Sequence, residues 1–199
     1  MLRPKLRITR NGTQFEFEKE SPFLINQVKM DAYANKYLIK IIQTEYKKPL
    51  SPGEQDFSPY VSRYRGWFNL LVQDSRGEIT SRVSINNYFG NEDLAFGGPI
   101  DLVFNDYNQD GDEDFAIGRP RKDSPEFQYV LFSINSEGRV YNLPAGGYKE
   151  DGFIYSAGTN ATFTSDNGEN RIVVTLCDLI KKYVRGKYLW NGNKYVFSN

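Results

Sequence analysis

The chain contains no histidine and a single cysteine, Cys177. Without an imidazole, Ser-His-Asp and Cys-His catalysis are excluded within this sequence, as is any His-ligated zinc or haem site. One cysteine forms no internal disulfide, so bridges give no redox compartment. Following Ile172-Val173-Val174-Thr175-Leu176 and lacking a base, Cys177 reads as a small buried hydrophobe. Net charge is missing too, because Lys+Arg and Asp+Glu both number 25. That balance argues for neither nucleic acid nor an anionic membrane as partner. No apolar run reaches the roughly 18 residues of a spanning helix, so no membrane span is expected. Gly97-Gly98 and Gly146-Gly147 lack the Lys-Ser/Thr of a phosphate loop and read as turns.

What is present is aromatic and strand-forming. Phe and Tyr number 14 each, and 39% of the residues are hydrophobic, enough to fill a sizeable core. At 199 residues the chain suits one domain. Apolar and polar residues alternate around Asn11-Gly12, and Phe15 and Phe17 share a face opposite Glu16 and Glu18; this predicts a hairpin. Further hairpins are predicted for Val28–Tyr33 with Tyr37–Thr44, and across Asp74-Ser75-Arg76-Gly77, Asn135-Ser136-Glu137-Gly138 and Asn191-Gly192. Phe153–Ser156, Ala161–Thr164 and Arg171–Leu176 read as strands, and Asp178–Val184 as a short helix. The spacing within Phe23–Tyr46 also tolerates a helix. Lys47–Pro59, rich in proline, reads as a long surface loop. The expected fold is mostly β: a single compact domain over residues 1–199, sandwich-like or a meander of hairpins, with a surface loop over 47–60 and at most one short helix. Phe68–Gly77 is echoed by Tyr129–Gly138 at an offset of 61 residues, Ser75 to Ser136. At most three such units fit, too few for a closed propeller.

The chemically distinctive stretch is Asp106-Tyr107-Asn108-Gln109-Asp110-Gly111-Asp112-Glu113-Asp114, set between the apolar runs Ile100–Phe104 and Phe115–Ile117. Oxygen-bearing side chains stand at positions 1, 3, 5 and 9, with glycine at 6 where the chain must turn. Ca²⁺ takes six to eight such oxygens. Packed this closely, Asp106, Asp110, Asp112, Glu113 and Asp114 repel one another unless a dication offsets them. An EF-hand would need a bidentate Glu at position 12, and Ile117 stands there. The flanks are β-prone, so the expectation is a strand-loop-strand cation site. Asp106, Asn108, Asp110 and Asp114 would give side-chain oxygens, Asp112 its backbone carbonyl, and Glu113 would point outward. The competing reading is an acidic surface turn without an ion.

The run Asp106-x-Asn108-x-Asp110-Gly111-x-x-Asp114-Phe115-Ala116-Ile117-Gly118 resembles the calcium loop of FG-GAP (integrin-type) and VCBS-like repeats. Phe89-Gly90 and Gly97-Gly98-Pro99 are loosely similar to the naming motif of that family, in a different order. The resemblance covers roughly residues 88–120 and implies a calcium site in an extracellular β-rich setting, not an activity. Met1-Leu2-Arg3-Pro4-Lys5 lacks the apolar stretch of a signal peptide. The protein is then either cytosolic or one whose export signal is absent from this sequence; the calcium loop favours the second, a secreted or cell-envelope protein of the kind many bacteria export without disulfides, because cytosolic Ca²⁺ would leave a weak site of this kind empty.

Other constellations have ordinary structural readings. Arg119-Pro120-Arg121-Lys122 could take an anion, but a charge-balancing turn is the simpler account. Aromatic and basic residues interleave at Tyr60–Trp67 and Lys181–Tyr195; alternate aromatics pack a core while Lys and Arg face water. Asn11-Gly12-Thr13 and Asn160-Ala161-Thr162 match a glycosylation pattern that is common by chance. The function expected is a non-catalytic calcium-binding domain presenting a surface to a cell-surface glycan or protein. The alternative is a polysaccharide-active enzyme, or its accessory domain, using an Asp/Glu pair.

Overall fold

The computed structural model describes residues 37–47, 64–97, 102–121, 126–149, 152–157, 171–177 and 183–198 with their side chains, and the backbone of 5–10, 13–18, 23–29 and 164–165. Its strands are β1 (Lys5–Arg10), β2 (Thr13–Glu18), β3 (Phe23–Lys29), β4 (Tyr37–Tyr46), β5 (Tyr64–Asp74), β6 (Ile79–Ser84), β7 (Leu94–Phe96) and β8 (Glu113–Pro120). There follow β9 (Glu126–Ile134), β10 (Val140–Leu143), β11 (Ala145–Gly146), β12 (Ile154–Ala157), β13 (Thr164–Ser165), β14 (Arg171–Cys177), β15 (Tyr183–Trp190) and β16 (Tyr195–Ser198). Among the described residues the one helical element is a 3-10 turn, Ile85–Phe89. The fold is mostly β, as the aromatic and β-branched content implies.

β1 and β2 pair with Arg10 opposite Thr13, flanking Asn11-Gly12. The first large sheet runs β3-β4-β5-β6, with β7 also on β5. The middle sheet runs β10-β9-β12, with β8 on the other side of β9. The third runs β11-β16-β15-β14-β13. The first and middle sheets share a core built on Ile39, Ile41, Phe68, Leu70, Phe115, Ile117, Val130 and Phe132. The middle and third share another, built on Tyr107, Leu131, Leu143, Ile154, Ile172, Val174, Tyr188 and Tyr195. The sandwich-like expectation is thus met twice, in three stacked layers. Side chains alternate faces along a strand, so Val130, Phe132 and Ile134 fill one core while Tyr129 and Leu131 fill the other.

The 61-residue echo is a structural repeat. β5 pairs β6 with its C-terminal half and β7 with its N-terminal half. β9 divides in the same way between β10 and β12. Each strand leads into the same turn, where Asp74 Oδ1 accepts from the amides of Arg76 and Glu78 and Asn135 Oδ1 from those of Glu137 and Arg139. Asn191 Oδ1 caps the third hairpin by accepting from Asn193 and Lys194. Where β5 changes partner, Asn86 fills the gap. Its amide accepts from Phe68 N at 2.8 Å and donates to the carbonyls of Gly66 and Glu92.

Several expectations need correcting; among them, Arg119 and Pro120, read as part of a turn, end β8, and Gly146 lies in β11. Leu102–Phe104 is not a strand, although Leu102 and Phe104 still pack on the first core. Tyr183 and Val184 begin β15 instead of ending a helix, because pairing with Cys177 and Leu176 of β14 satisfies their backbone in the sheet. The helical option for Phe23–Tyr46 gives way to β3 and β4, since Tyr37, Ile39 and Ile41 alternate into the core. The expected loop at 47–60, apart from Lys47, lies outside the described residues, as do 178–182, Ala161–Phe163 and Asn160.

Gly66 is the tightest backbone position. It sits at φ 141°, opposite a bulge between Gln43 and Glu45, and a Cβ there would overlap the Glu45 carbonyl oxygen. Gln43 bridges the bulge by donating to the carbonyls of Arg65 and Glu45. Gly90 has φ 76° but open space around its missing Cβ. Gly90→Ala should therefore cost only the left-handed penalty, about 1 kcal/mol. Gly66→Ala should cost about 3 kcal/mol, because strain and overlap add. Urea melts of both variants measure the difference, and equal midpoints would contradict the close approach.

Candidate metal centre

Asn105 and Asp114 exchange both backbone hydrogen bonds, at 3.0 and 2.7 Å, and so close the acidic loop at its base. Beyond this bridge the chain enters β8, paired with β9 along its length. Inside the loop the side chains fold back on their own amides. Asp106 accepts from Asp110 N with one oxygen and from Gly111 N with the other, both at 3.0 Å. Asn108 Oδ1 accepts from Asp110 N at 3.1 Å, and Asp110 Oδ1 accepts from Asp112 N at 2.9 Å. Asn108 Nδ2 donates to Asp110 Oδ2 at 2.7 Å. These turns require left-handed backbone at Gln109, φ 60°, and Gly111, φ 91°.

Asp114 is the inward member. It is fully buried, and its Oδ2 accepts from Tyr107 N at 2.9 Å and Asn108 N at 3.3 Å. Its Oδ1 is buried with no hydrogen-bond partner. Burial pushes the carboxyl up to about 7, and the charge of Asp110 adds to this. Against it work the Ser133 hydroxyl, which faces Asp114 across the sheet without forming a sound hydrogen bond, and the two loop amides. Tyr107 beside it is buried in the second core; desolvation, with the Asp114 charge, pushes its hydroxyl up to about 12.

The residues singled out by spacing, Asp106, Asn108, Asp110, Asp112 and Asp114, thus lie in one closed loop. Among the described residues, no three acidic, His or Cys side chains gather tightly enough to hold a metal as they stand. Asp106 and Asp110 spend oxygens on backbone amides, and one donor of the set is an amide oxygen. The donor set nevertheless fits a hard cation. It offers carboxylate and amide oxygens only, and Asp114 Oδ1 is a buried acceptor in need of a positive partner. Ile117 at position 12 is buried in the first core, which is why no carboxylate stands there. Glu113 does not point freely outward: it is half-buried, and burial followed by the Asp106 charge raises its pKa.

Spacing along the chain did not find Tyr141. It lies on β10, and its hydroxyl donates to Asp112 Oδ2 at 2.6 Å, 29 residues away in sequence. No local pattern marks it, because the contact depends on strand pairing. The other sequence candidates are engaged structurally. Arg119 pairs with Glu92 at 3.2 Å, donates to Gln128, and lies over the Phe89 ring. Arg121 lies over Tyr155. Arg65 pairs with Asp93, and Tyr64 packs on the first core. Tyr188 and Tyr195 point into the second core. The half-buried Cys177 gives its amide to Glu126, whose buried carboxylate also holds Lys149.

No family model, curated protein or solved structure matches the chain.

The raised Asp114 pKa has a stability consequence in chelator. Between about pH 4 and pH 7 the folded state keeps this proton and the unfolded chain, at the ordinary 3.8, has lost it. Unfolding then releases a proton, so ion-free stability should fall as pH rises through that window. Asp114→Asn should flatten the fall, read from urea midpoints in EDTA at stepped pH. A wild-type curve that rises between pH 4 and 7, with the variant parallel to it, would contradict the burial of this carboxylate.

Proposed function

We propose that this chain is a non-catalytic domain that binds Ca²⁺ in the loop Asp106–Asp114, in a secreted or cell-envelope setting, and offers a cation-stiffened surface to a glycan or protein partner. The carrying observation is the buried, unpartnered Asp114 Oδ1 at the base of a loop whose remaining polar atoms are pre-arranged by its own amides. Asp106, Asn108 and Asp110 would turn oxygens toward the ion, Asp112 would add its carbonyl, and Asp114 would anchor it from inside. The likeness of the loop to FG-GAP and VCBS-like repeats supports the same reading. When bound, the ion supplies fixed positive charge where the carboxylates repel; it is not assigned a chemical step.

Calcium is favoured over magnesium because a loop of mixed carboxylate, amide and carbonyl oxygens tolerates seven-fold geometry better than a strict octahedron. Lacking the bidentate Glu, the site falls in the weak range of extracellular modules, about 10⁻⁴–10⁻³ M. Such a site fills outside the cytosol, which supports the secreted setting. The partner surface is proposed from the rigid placement of the loop on the middle sheet.

Titration calorimetry on chelator-stripped protein should show one Ca²⁺ site, far weaker Mg²⁺ binding, and loss of both in Asp106→Ala/Asp110→Ala. A ligand confined to the folded state stabilises by about 2.7 kcal/mol at a hundredfold excess over Kd, so Tm should climb with Ca²⁺. Identical melting with Ca²⁺ and with EDTA would remove the proposal. A glycan and cell-wall pull-down with and without Ca²⁺, beside a glycosidase panel, checks the surface role. Turnover abolished by one Asp or Glu substitution outside residues 106–114 would instead show an enzyme.

A further inference from the structure

The middle sheet carries a polar row on the face that looks toward the third sheet. Asp114 on β8 stands opposite Ser133 on β9, and Ser133 stands opposite Tyr141 on β10. Cross-strand partners share a face, so the three side chains line up on the side of the second core. Ser133 is fully buried, and its hydroxyl lies between the Asp114 carboxyl and the Tyr141 hydroxyl, close to both but without a well-aligned hydrogen bond to either. Across the core, Tyr195 begins β16 with its ring against Trp190. It too is fully buried, with an unpartnered hydroxyl. Its backbone pairs with Ala145 and donates to the Pro144 carbonyl, just beyond β10, and its ring lies in the same core as Tyr107 of the loop; the carboxylates of Asp114, Asp106 and Asp110 add to burial in holding its hydroxyl protonated. Asp114 Oδ1, the Ser133 hydroxyl that faces it, and the Tyr195 hydroxyl are therefore buried without a well-formed hydrogen bond, on strands of two different sheets that share the second core. Leaving such groups poorly paired is costly, and their placement around one core points to a further polar occupant.

We infer that the cation site extends beyond its loop: the hydroxyls of Ser133 and Tyr195 serve as oxygen partners in the hydrated shell of the ion, so that filling the loop fastens the closing hairpin β15–β16 to the middle sheet. This rests on the Ca²⁺ reading of the loop. Ser133 and Tyr195 act as positioning residues; the carboxylates remain the ligands. The consequence is that the ion senses inter-sheet packing. Loosening the third sheet weakens binding, and binding protects the third sheet.

Calorimetry with Ca²⁺ on wild type, Tyr195→Phe and Ser133→Ala tests it, with Tyr183→Phe, an exposed position on β15, as control. Loss of such outer partners lowers metal affinity by about tenfold or more, expected in the first two variants and not in the control. Urea melts separate this from a packing role. In EDTA the Tyr195→Phe midpoint should be no lower than wild type, since no hydrogen bond is lost, while its Ca²⁺-induced rise should shrink. Unchanged affinity in both variants, beside a wild type that binds, overturns this inference and leaves the loop site standing. Equal destabilisation with and without Ca²⁺ at unchanged affinity also overturns it, in favour of packing alone. A wild type that binds no Ca²⁺ removes the loop reading, and this inference with it.

Discussion

The structure depends on one strand being covered on both faces. β9 gives Val130, Phe132 and Ile134 to one core and Tyr129 and Leu131 to the other. Burying each such side chain stabilises by roughly 1.5–3 kcal/mol, and no second strand of the middle sheet fills both cores so heavily. β8, β10 and β12 all take their backbone pairing from it. A two-layer sandwich would leave one of these apolar faces open to water. The third layer is therefore required by the sequence of β9 itself, whose near-continuous apolar run reads as a strand enclosed on both sides.

The same strand places the candidate site. Asp114 directly precedes the apolar residues of β8, and register sets it opposite Ser133. Parity then decides the rest: Phe115 and Ile117 turn to the first core, and Asp114 turns to the second. A one-residue slip would bury Phe115 against the third sheet and turn Asp114 into the first core. Tyr107 helps to prevent this by entering the second core from within the loop while its amide binds Asp114. The loop is thus held at three points: by its bridge at Asn105, by the Tyr107 ring, and by the Asp114 carboxylate.

Much of this was legible from residues next to one another in the chain. Hairpins around Asn11-Gly12, Asp74–Gly77, Asn135–Gly138 and Asn191-Gly192 carry their own turn chemistry, and the pairing agrees with each. The oxygen pattern of Asp106–Asp114 was equally local. What could not be read was anything decided by which sheet meets which. Ser133 is unremarkable in sequence and Tyr195 stood out only as one of an interleaved aromatic run; register and stacking bring both to the core that Tyr107 of the loop enters. Leu102–Phe104 misled for a related reason, because its apolar residues pack on a core without pairing in a sheet. Tyr183 and Val184 read as the end of a helix because apolar periodicity over a few residues does not separate helix from strand. The available partner, β14, decided the matter.

A chain without histidine and with one cysteine has few ways to fasten a loop to its core. Disulfide and soft-metal clips are excluded, and hydrophobic anchoring is limited to what the loop itself can bury, which here is Tyr107. Beside the Asn105 bridge and the amides that bind Asp114, the remaining means is charge. A carboxylate at the inner base of the loop is poorly stabilised when alone: burial pushes Asp114 up to about 7, so near neutrality a proton competes for the position. The dication proposed above would satisfy the same oxygen better, and would also offset the repulsion among Asp106, Asp110 and Asp114 that a single proton leaves in place. The loop is therefore pre-folded by its amides, with one buried carboxylate oxygen left without a well-formed hydrogen bond. That oxygen lies where the middle sheet faces the third, so a positive group proposed to pair with it would sit where those two layers pack.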